Sequence, residues 1–216
     1  MKKTIDEQII SNFTIKDSLE KPIVEIDEIL SLITRGDKPN FKIGVIIGTS
    51  GSGKTLLLES IKNKLNISNE EPIWSDKSIA SHFESYKDAE KHLLSVGLGS
   101  IPSWLKPYKV LSNGEKHRAD LAMLIKNDKI AIDEFVSYVD NNASLGLSNS
   151  LGKYIRDNNK LLIVATLNPD IIEFINPCWV YNTDLKEFTL NKNHYNLLFD
   201  TNKGTSIEFM PIMEIE

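Results

Sequence analysis

The sequence predicts an α/β fold: a mostly parallel sheet with helices on both faces, flanking strands and a small helical insertion. Three observations carry this. Ile43-Gly44-Val45-Ile46-Ile47, Ile130-Ala131-Ile132 and Leu161-Leu162-Ile163-Val164-Ala165 are short apolar runs suited to buried strands. Stretches with helical spacing of apolar residues separate them. A glycine-rich turn, Gly48-Thr49-Ser50-Gly51-Ser52-Gly53-Lys54-Thr55, joins the first run directly to a helix.

The elements follow in order. Asn12 to Lys16 suits a short strand. Ile26, Ile29, Leu30 and Ile33 have helical spacing across Ile23 to Thr34, and Gly36, Asp37 and Pro39 close that helix. After the first core strand and the glycine turn, a helix runs to about Leu65. Pro72-Ile73-Trp74 reads as a short strand. Residues 78–97 read as one or two helices, with Asp88 as a start. Gly97, Gly99, Pro102 and Pro107 break the next stretch, where Trp104 and Tyr108 read as packing anchors. Ser112 is a good N-cap with Glu115 as its capping-box partner, before a helix carrying Ala119, Leu121, Ala122, Leu124 and Ile125. Another helix spans 141–158. A short one begins near Pro169, Trp179-Val180-Tyr181 pairs with Glu187 to Leu190, and an alternating tail from Ser206 forms one more strand.

Bulk properties exclude several classes. The chain has 216 residues, enough for one domain with an inserted subdomain, and a formal net charge of -5 that gives no general basic field for nucleic acid. A single cysteine, Cys178, rules out a disulfide framework and a cysteine-based zinc site, and points to a reducing cytoplasm. The first residues lack a signal peptide's apolar core, and no apolar run approaches a membrane span. His82, His92, His117 and His194 are scattered without metal-ligand spacing, and His117 reads as a solvated surface residue. Cys178 reads as a small buried hydrophobe.

The chemistry centres on Gly48–Thr55, which reads G-x-x-x-x-G-K-T, the P-loop pattern, in its confirming context of strand, loop and helix. Glycines let backbone N–H groups turn inward around a phosphate chain, and the helix N-terminus adds partial positive charge there. Lys54 is placed to reach the β- and γ-phosphates, and the Thr55 hydroxyl to coordinate Mg²⁺. Asp133 and Glu134 end the second apolar run. In a P-loop protein such an aspartate holds Mg²⁺, and the neighbouring carboxylate can orient the attacking water. Ser112-Asn113-Gly114, at another helix start, is a second site suited to anions by the same dipole argument.

This ordered set resembles the ABC-class ATPases. Gly48–Thr55 is similar to their Walker A motif. Leu111 to Ala122 is similar to their signature motif and the helix it opens, Ile130 to Glu134 to Walker B with its catalytic glutamate, and Val139-Asp140 to the D-loop. The motifs span residues 44–182. The resemblance implies a P-loop NTPase fold of the ABC type, a single domain over 1–216 with a helical subdomain at about 76–127. It implies ATP and Mg²⁺ as ligands. ATP would lie between the P-loop of one copy and Ser112-Asn113-Gly114 of a second, with Asp140 alongside, in a homodimer that forms with ATP and opens on hydrolysis. Thr55 and Asp133 would hold the metal, and Lys54 and Glu134 would act in catalysis.

Some positions depart from the family pattern. Asn113 stands where the first signature glycine is usual, and asparagine tolerates left-handed backbone. The switch histidine is absent, and its place falls at Asn168, whose amide can donate to a γ-phosphate but carries no charge. The Q-loop glutamine is absent as well, with Asp76 the nearest stand-in, and Phe13 is the nearest aromatic for adenine. The missing glutamine and the segment Ile101 to Tyr108 resemble soluble, non-transporter members. Trp74, Pro102-Ser103-Trp104, Pro107-Tyr108, Arg118 to Ala122 and Asp133-Glu134-Phe135 are similar to ATPase modules fused to acetyltransferase domains, of which this chain reads as a free-standing version. The expectation is a cytoplasmic ATPase acting on another macromolecule, with DNA or RNA ahead of transport and no membrane insertion. Two alternatives stay open: the nucleotide-binding subunit of a transporter, and a clamp that hardly hydrolyses.

Overall fold

The chain enters the described region through α1 (Pro22–Ile33) and a minimal antiparallel hairpin of β1 (Thr34–Arg35) and β2 (Lys38–Pro39). This is a computed structural model describing residues 22–35, 38–39, 41–68, 70–191, 195–199 and 207–211. The expected strand at Asn12 to Lys16, Phe13 and His194 lie outside those residues. Strand β3 (Ile43–Ile47) leads through the glycine turn into α2 (Lys54–Leu65). Helices α3 (Tyr86–Ser95), α4 (Ile101–Trp104) and α5 (Asn113–Leu124) follow, with 3-10 turns at Ile79–His82 and Tyr108–Val110. Then come β4 (Lys129–Ile132), α6 (Asn141–Asp157), β5 (Leu161–Thr166), α7 (Ile171–Ile175), β6 (Trp179–Asn182) and β7 (Glu187–Leu190). Strands β8 (Tyr195–Phe199) and β9 (Ile207–Pro211) pair with each other in a separate antiparallel sheet.

The main sheet has the order β4-β5-β3-β6-β7. Its first four strands are parallel and β7 is antiparallel to β6. Strand β3 is therefore central, and the C-terminal ends of four parallel strands share one rim, where open α/β sheets bind ligands.

The continuous apolar runs are explained by burial on both faces. Ile43, Val45, Ile130, Leu162 and Val164 join one core with α3, α5 and α6. Ile46, Ala131, Ile163 and Ala165 join a second with α1 and α2, through Ile29, Ile33, Leu57, Leu58 and Ile61. Burying such a side chain fully stabilises by about 1.5–3 kcal/mol. The helical stretch between α2 and β4 shares the first core with the sheet: Leu93, Trp104 and Ala122 belong to the same cluster as Val45.

Local chemistry sets the ends of the helices. Ser112 caps α5 in a reciprocal box with Glu115, and Asp140 caps α6 by accepting from the Ala143 N–H at 2.9 Å. Helix α3 starts earlier than expected. Ser85 is its cap, accepting from the Asp88 N–H at 3.1 Å, and Asp88 reaches back to the Glu84 N–H at 3.2 Å. Pro72-Ile73-Trp74 is not a strand. Ile73 is 91% exposed, and Trp74 is held by side-chain contacts: its indole donates to Asp120 Oδ1 at 2.8 Å and stacks on Tyr108 at 5.1 Å. Tyr108 donates to the other oxygen of Asp120 at 2.7 Å, and buried Trp104 donates to the Leu98 carbonyl at 2.6 Å, so both aromatics do anchor this region. Cys178 is buried as expected.

Candidate functional site

Strand β3 stops at Ile47, and the glycine turn begins on the C-terminal rim. Gly51 and Gly53 take φ of 79° and 96°, left-handed values that favour glycine. Helix α2 then starts at Lys54 with no acidic residue in its first turn, so its N-terminal amides keep their positive potential. The Lys54 ammonium donates to the carbonyls of Gly48 at 2.9 Å and Thr49 at 2.6 Å, inside its own loop.

The end of β4 lies beside this helix start. Thr55 Oγ1 donates to Asp133 Oδ2 at 2.7 Å, and the other oxygen of Asp133 accepts from the Glu134 N–H at 2.8 Å. Glu134 and Val136 both have positive φ, 48° and 65°. That strain is tolerated because Phe135 between them is tied to β5. Its N–H donates to the Ala165 carbonyl at 2.8 Å, and its carbonyl accepts from the buried Thr166 hydroxyl at 2.9 Å. The exposed Glu134 carboxylate accepts from the Tyr138 hydroxyl at 3.2 Å.

Thr166 also accepts from the Asn168 N–H at 3.1 Å, and the Asn168 amide donates to Asn141 Oδ1 at 3.2 Å, which brings Asn168 to the start of α6 beside Asp140. The start of α5 is committed to its own helix. Glu115 accepts from Ser103 at 2.5 Å and from the Ser112 N–H at 2.9 Å, and these donors, the Ser103 hydroxyl first, hold its carboxyl down to about 2. A side chain at Gly114 would meet the Tyr138 carbonyl at 3.2 Å, so this helix start packs against the segment after Glu134. Among the described residues no hydrogen bond joins Ser112-Asn113-Gly114 to Gly48–Thr55. Asp76 is exposed and pairs with Lys109 at 2.7 Å.

One expectation needs adjustment. His117 is not a solvated surface residue: it is half-buried, its ring lies 5.5 Å from that of Tyr138, and burial lowers its pKa. The turn at the end of β6, Asn182-Thr183-Asp184, also reaches the glycine turn. Asp184 accepts from both the N–H and the hydroxyl of Thr49 at 2.7 Å, and Thr183 meets Ser52 at 2.5 Å. Thr166, Tyr138, Thr183 and Asp184 carry no mark in the sequence, because they are hydroxyls and a carboxylate in ordinary sequence contexts. Only the strand order brings them to the rim.

The donor set suits Mg²⁺. One hydroxyl and one carboxylate meet at Thr55 and Asp133, and Mg²⁺ takes one or two protein ligands together with phosphates and waters. Among the described residues, no group of three or more His, Cys, Asp or Glu side chains is placed to hold a metal, and no helix is long and apolar enough to cross a membrane.

No protein-family model and no curated protein matches the chain. Solved structures do. The dimeric ATP-binding cassette MJ0796, in a post-hydrolysis state bound to ADP and Pi, is similar over 65% of this chain and 80% of its own, with 14% identity and a TM-score of 0.51. Another dimeric structure of MJ0796, described as a bacterial ABC transporter cassette, aligns over the same shares with 14% identity and a TM-score of 0.48. The first likeness concerns the fold. The chain shares with that cassette an α/β fold, here a five-stranded, mostly parallel sheet flanked by helices.

Proposed function

We propose that the protein binds Mg²⁺-ATP at Gly48–Thr55 and hydrolyses it. The observation that carries this reading is the 2.7 Å contact between Thr55 and Asp133, which joins the phosphate-binding helix start to the acidic end of β4. The loop amides of Ser50, Gly51, Ser52 and Gly53 cradle the phosphates, and Lys54 exchanges its loop carbonyls for phosphate oxygens. Thr55 and Asp133 hold the metal, which neutralises phosphate charge when bound. Glu134, exposed and next to Asp133, orients the attacking water. Asn168 offers a neutral amide to the γ-phosphate side, a feature that suits slow turnover.

The residues 1–216 act as one domain in this reading, with the helical part at about 76–127 as its subdomain. Ser112-Asn113-Gly114 and Asp140 serve a second copy's nucleotide in an ATP-dependent homodimer. That copy supplies what one chain does not bring together. The opening and closing act on another macromolecule, DNA or RNA, in the cytoplasm.

The experiment is molecular mass in solution with Mg²⁺-ATP and with Mg²⁺-ADP, for wild type and Glu134→Gln. The variant should dimerise with ATP and stay monomeric with ADP, and wild type should release phosphate. A chain that binds no ATP and stays monomeric in every sample sinks the proposal.

A further inference from the structure

We propose that Asp184, supported by Thr183, is a positioning residue of the nucleotide site: from the β6–β7 turn it fixes the first half of the P-loop before ATP arrives. The inference rests on the ATP-binding reading above. It starts from register. Ile47 and Asn182 are the last pair of the β3–β6 ladder, so the residues after β6 emerge beside Gly48. The Thr183 N–H donates to the Ile47 carbonyl at 2.9 Å, and its hydroxyl donates to the same carbonyl at 3.0 Å while meeting Ser52 Oγ at 2.5 Å. Asn182 accepts from the N–H groups of Asp184 at 2.9 Å and Leu185 at 3.1 Å, which sets the turn. The turn presses so closely on the loop that a Cβ at Gly48 would lie 2.0 Å from Thr183 Oγ1 and 3.2 Å from Asp184 Oδ2.

The peptide between Gly48 and Thr49 is the target. Its N–H donates to Asp184 and its carbonyl accepts from Lys54. In a trans peptide these two groups point in opposite directions. A carboxylate stands at one end of the peptide dipole and an ammonium at the other, and each strengthens the bond the other makes. Asp184 is ionised at neutral pH, because the hydroxyl and N–H of Thr49 hold its carboxyl below the ordinary value and Lys54 adds to this. Both carboxylate oxygens are engaged by Thr49, so the acid braces the loop from outside. A loop ordered in advance loses less entropy when it closes on phosphates.

The test measures the Kd of a fluorescent ATP analogue with Mg²⁺, together with KM and kcat for ATP, on wild type, Asp184→Ala, Asp184→Asn and Lys54→Ala. Asp184→Ala should weaken binding and raise KM about tenfold, the loss of a charge-assisted hydrogen bond, with kcat unchanged. Asp184→Asn keeps an oxygen acceptor for the Thr49 N–H and should fall between it and wild type. Melting temperatures should agree. If wild type binds nothing, or Lys54→Ala binds as wild type does, the ATP reading itself fails. If Lys54→Ala loses binding while Asp184→Ala binds as wild type or more tightly, only the role of Asp184 is overturned. A fall in kcat at constant KM, or equal losses in the alanine and asparagine variants, would also overturn it.

Discussion

Replacing Thr166 by valine tests whether a single buried hydroxyl holds the segment that carries Glu134. Thr166 closes β5 and is 1% exposed. Its hydroxyl donates to the Phe135 carbonyl at 2.9 Å and accepts from the Asn168 N–H at 3.1 Å. Valine has nearly the same shape but leaves both backbone groups without this partner. An unsatisfied buried group costs about 1–3 kcal/mol. The new methyl group returns about 0.8 kcal/mol, and the Asn168 end, nearer the surface, can recruit water. The net loss should be about 1–3 kcal/mol. For a chain of this size that lowers Tm by roughly 2–4 °C per kcal/mol. A functional consequence accompanies it. Phe135 sits between two left-handed residues, Glu134 at φ 48° and Val136 at φ 65°, and conformations of this kind persist only when their surroundings over-determine them. With one of its two ties to β5 removed, Glu134 loses its set orientation. On the proposed ATPase reading, turnover should drop while ATP binding at Gly48–Thr55 is kept. Urea unfolding at constant m-value, with phosphate release and nucleotide binding on the same samples, measures all three. Thr166→Ser restores the hydroxyl and should recover most of the loss. A valine variant within about 0.5 kcal/mol of wild type, with unchanged turnover, would refute the reasoning.

Two further outcomes are expected. Gly44→Ala should destabilise by about 1–3 kcal/mol in urea unfolding, because the new Cβ would lie 2.1 Å from the buried ring of Trp179, its partner on β6; an unchanged midpoint would contradict that packing. The carboxyl of Glu115 is moved from its ordinary 4.5 to about 2 by the Ser103 hydroxyl first and then by Ser112. A depressed folded-state pKa adds stability that is present above the unfolded value and is lost as pH falls from there toward 2. Glu115→Gln should therefore flatten the acid limb of the urea-midpoint profile over that window, and a variant profile parallel to that of wild type would count against the capping network.

Much of this architecture is legible in the chain because its signals are local. Burial on two faces requires continuous apolar residues, so Ile43 to Ile47, Ile130 to Ile132 and Leu161 to Ala165 stand out as strands. The glycine turn, the lysine and threonine opening α2, and the Ser112–Glu115 box depend on neighbours a few residues away. The same holds for Asp140 at the start of α6. Pro72-Ile73-Trp74 misleads for the opposite reason. Strand propensity needs a pairing partner, whereas Trp74 is held by Tyr108 and Asp120 on other elements.

What the sequence by itself determined is therefore the set of elements and the glycine turn, since backbone sterics, capping and hydrophobic period act over a few residues. The order β4-β5-β3-β6-β7 was decided by the tertiary structure. That order sets Asp133 against Thr55 across 78 residues and Asp184 against Thr49 across 135. It also ties Phe135 to Thr166 across 31 residues, and packing of the α5 helix half-buries His117 against Tyr138. Side chains this far apart along the chain meet only when the two apolar faces of the sheet have been covered, and a hydroxyl or carboxylate at the end of a strand carries no local mark of the strand beside it.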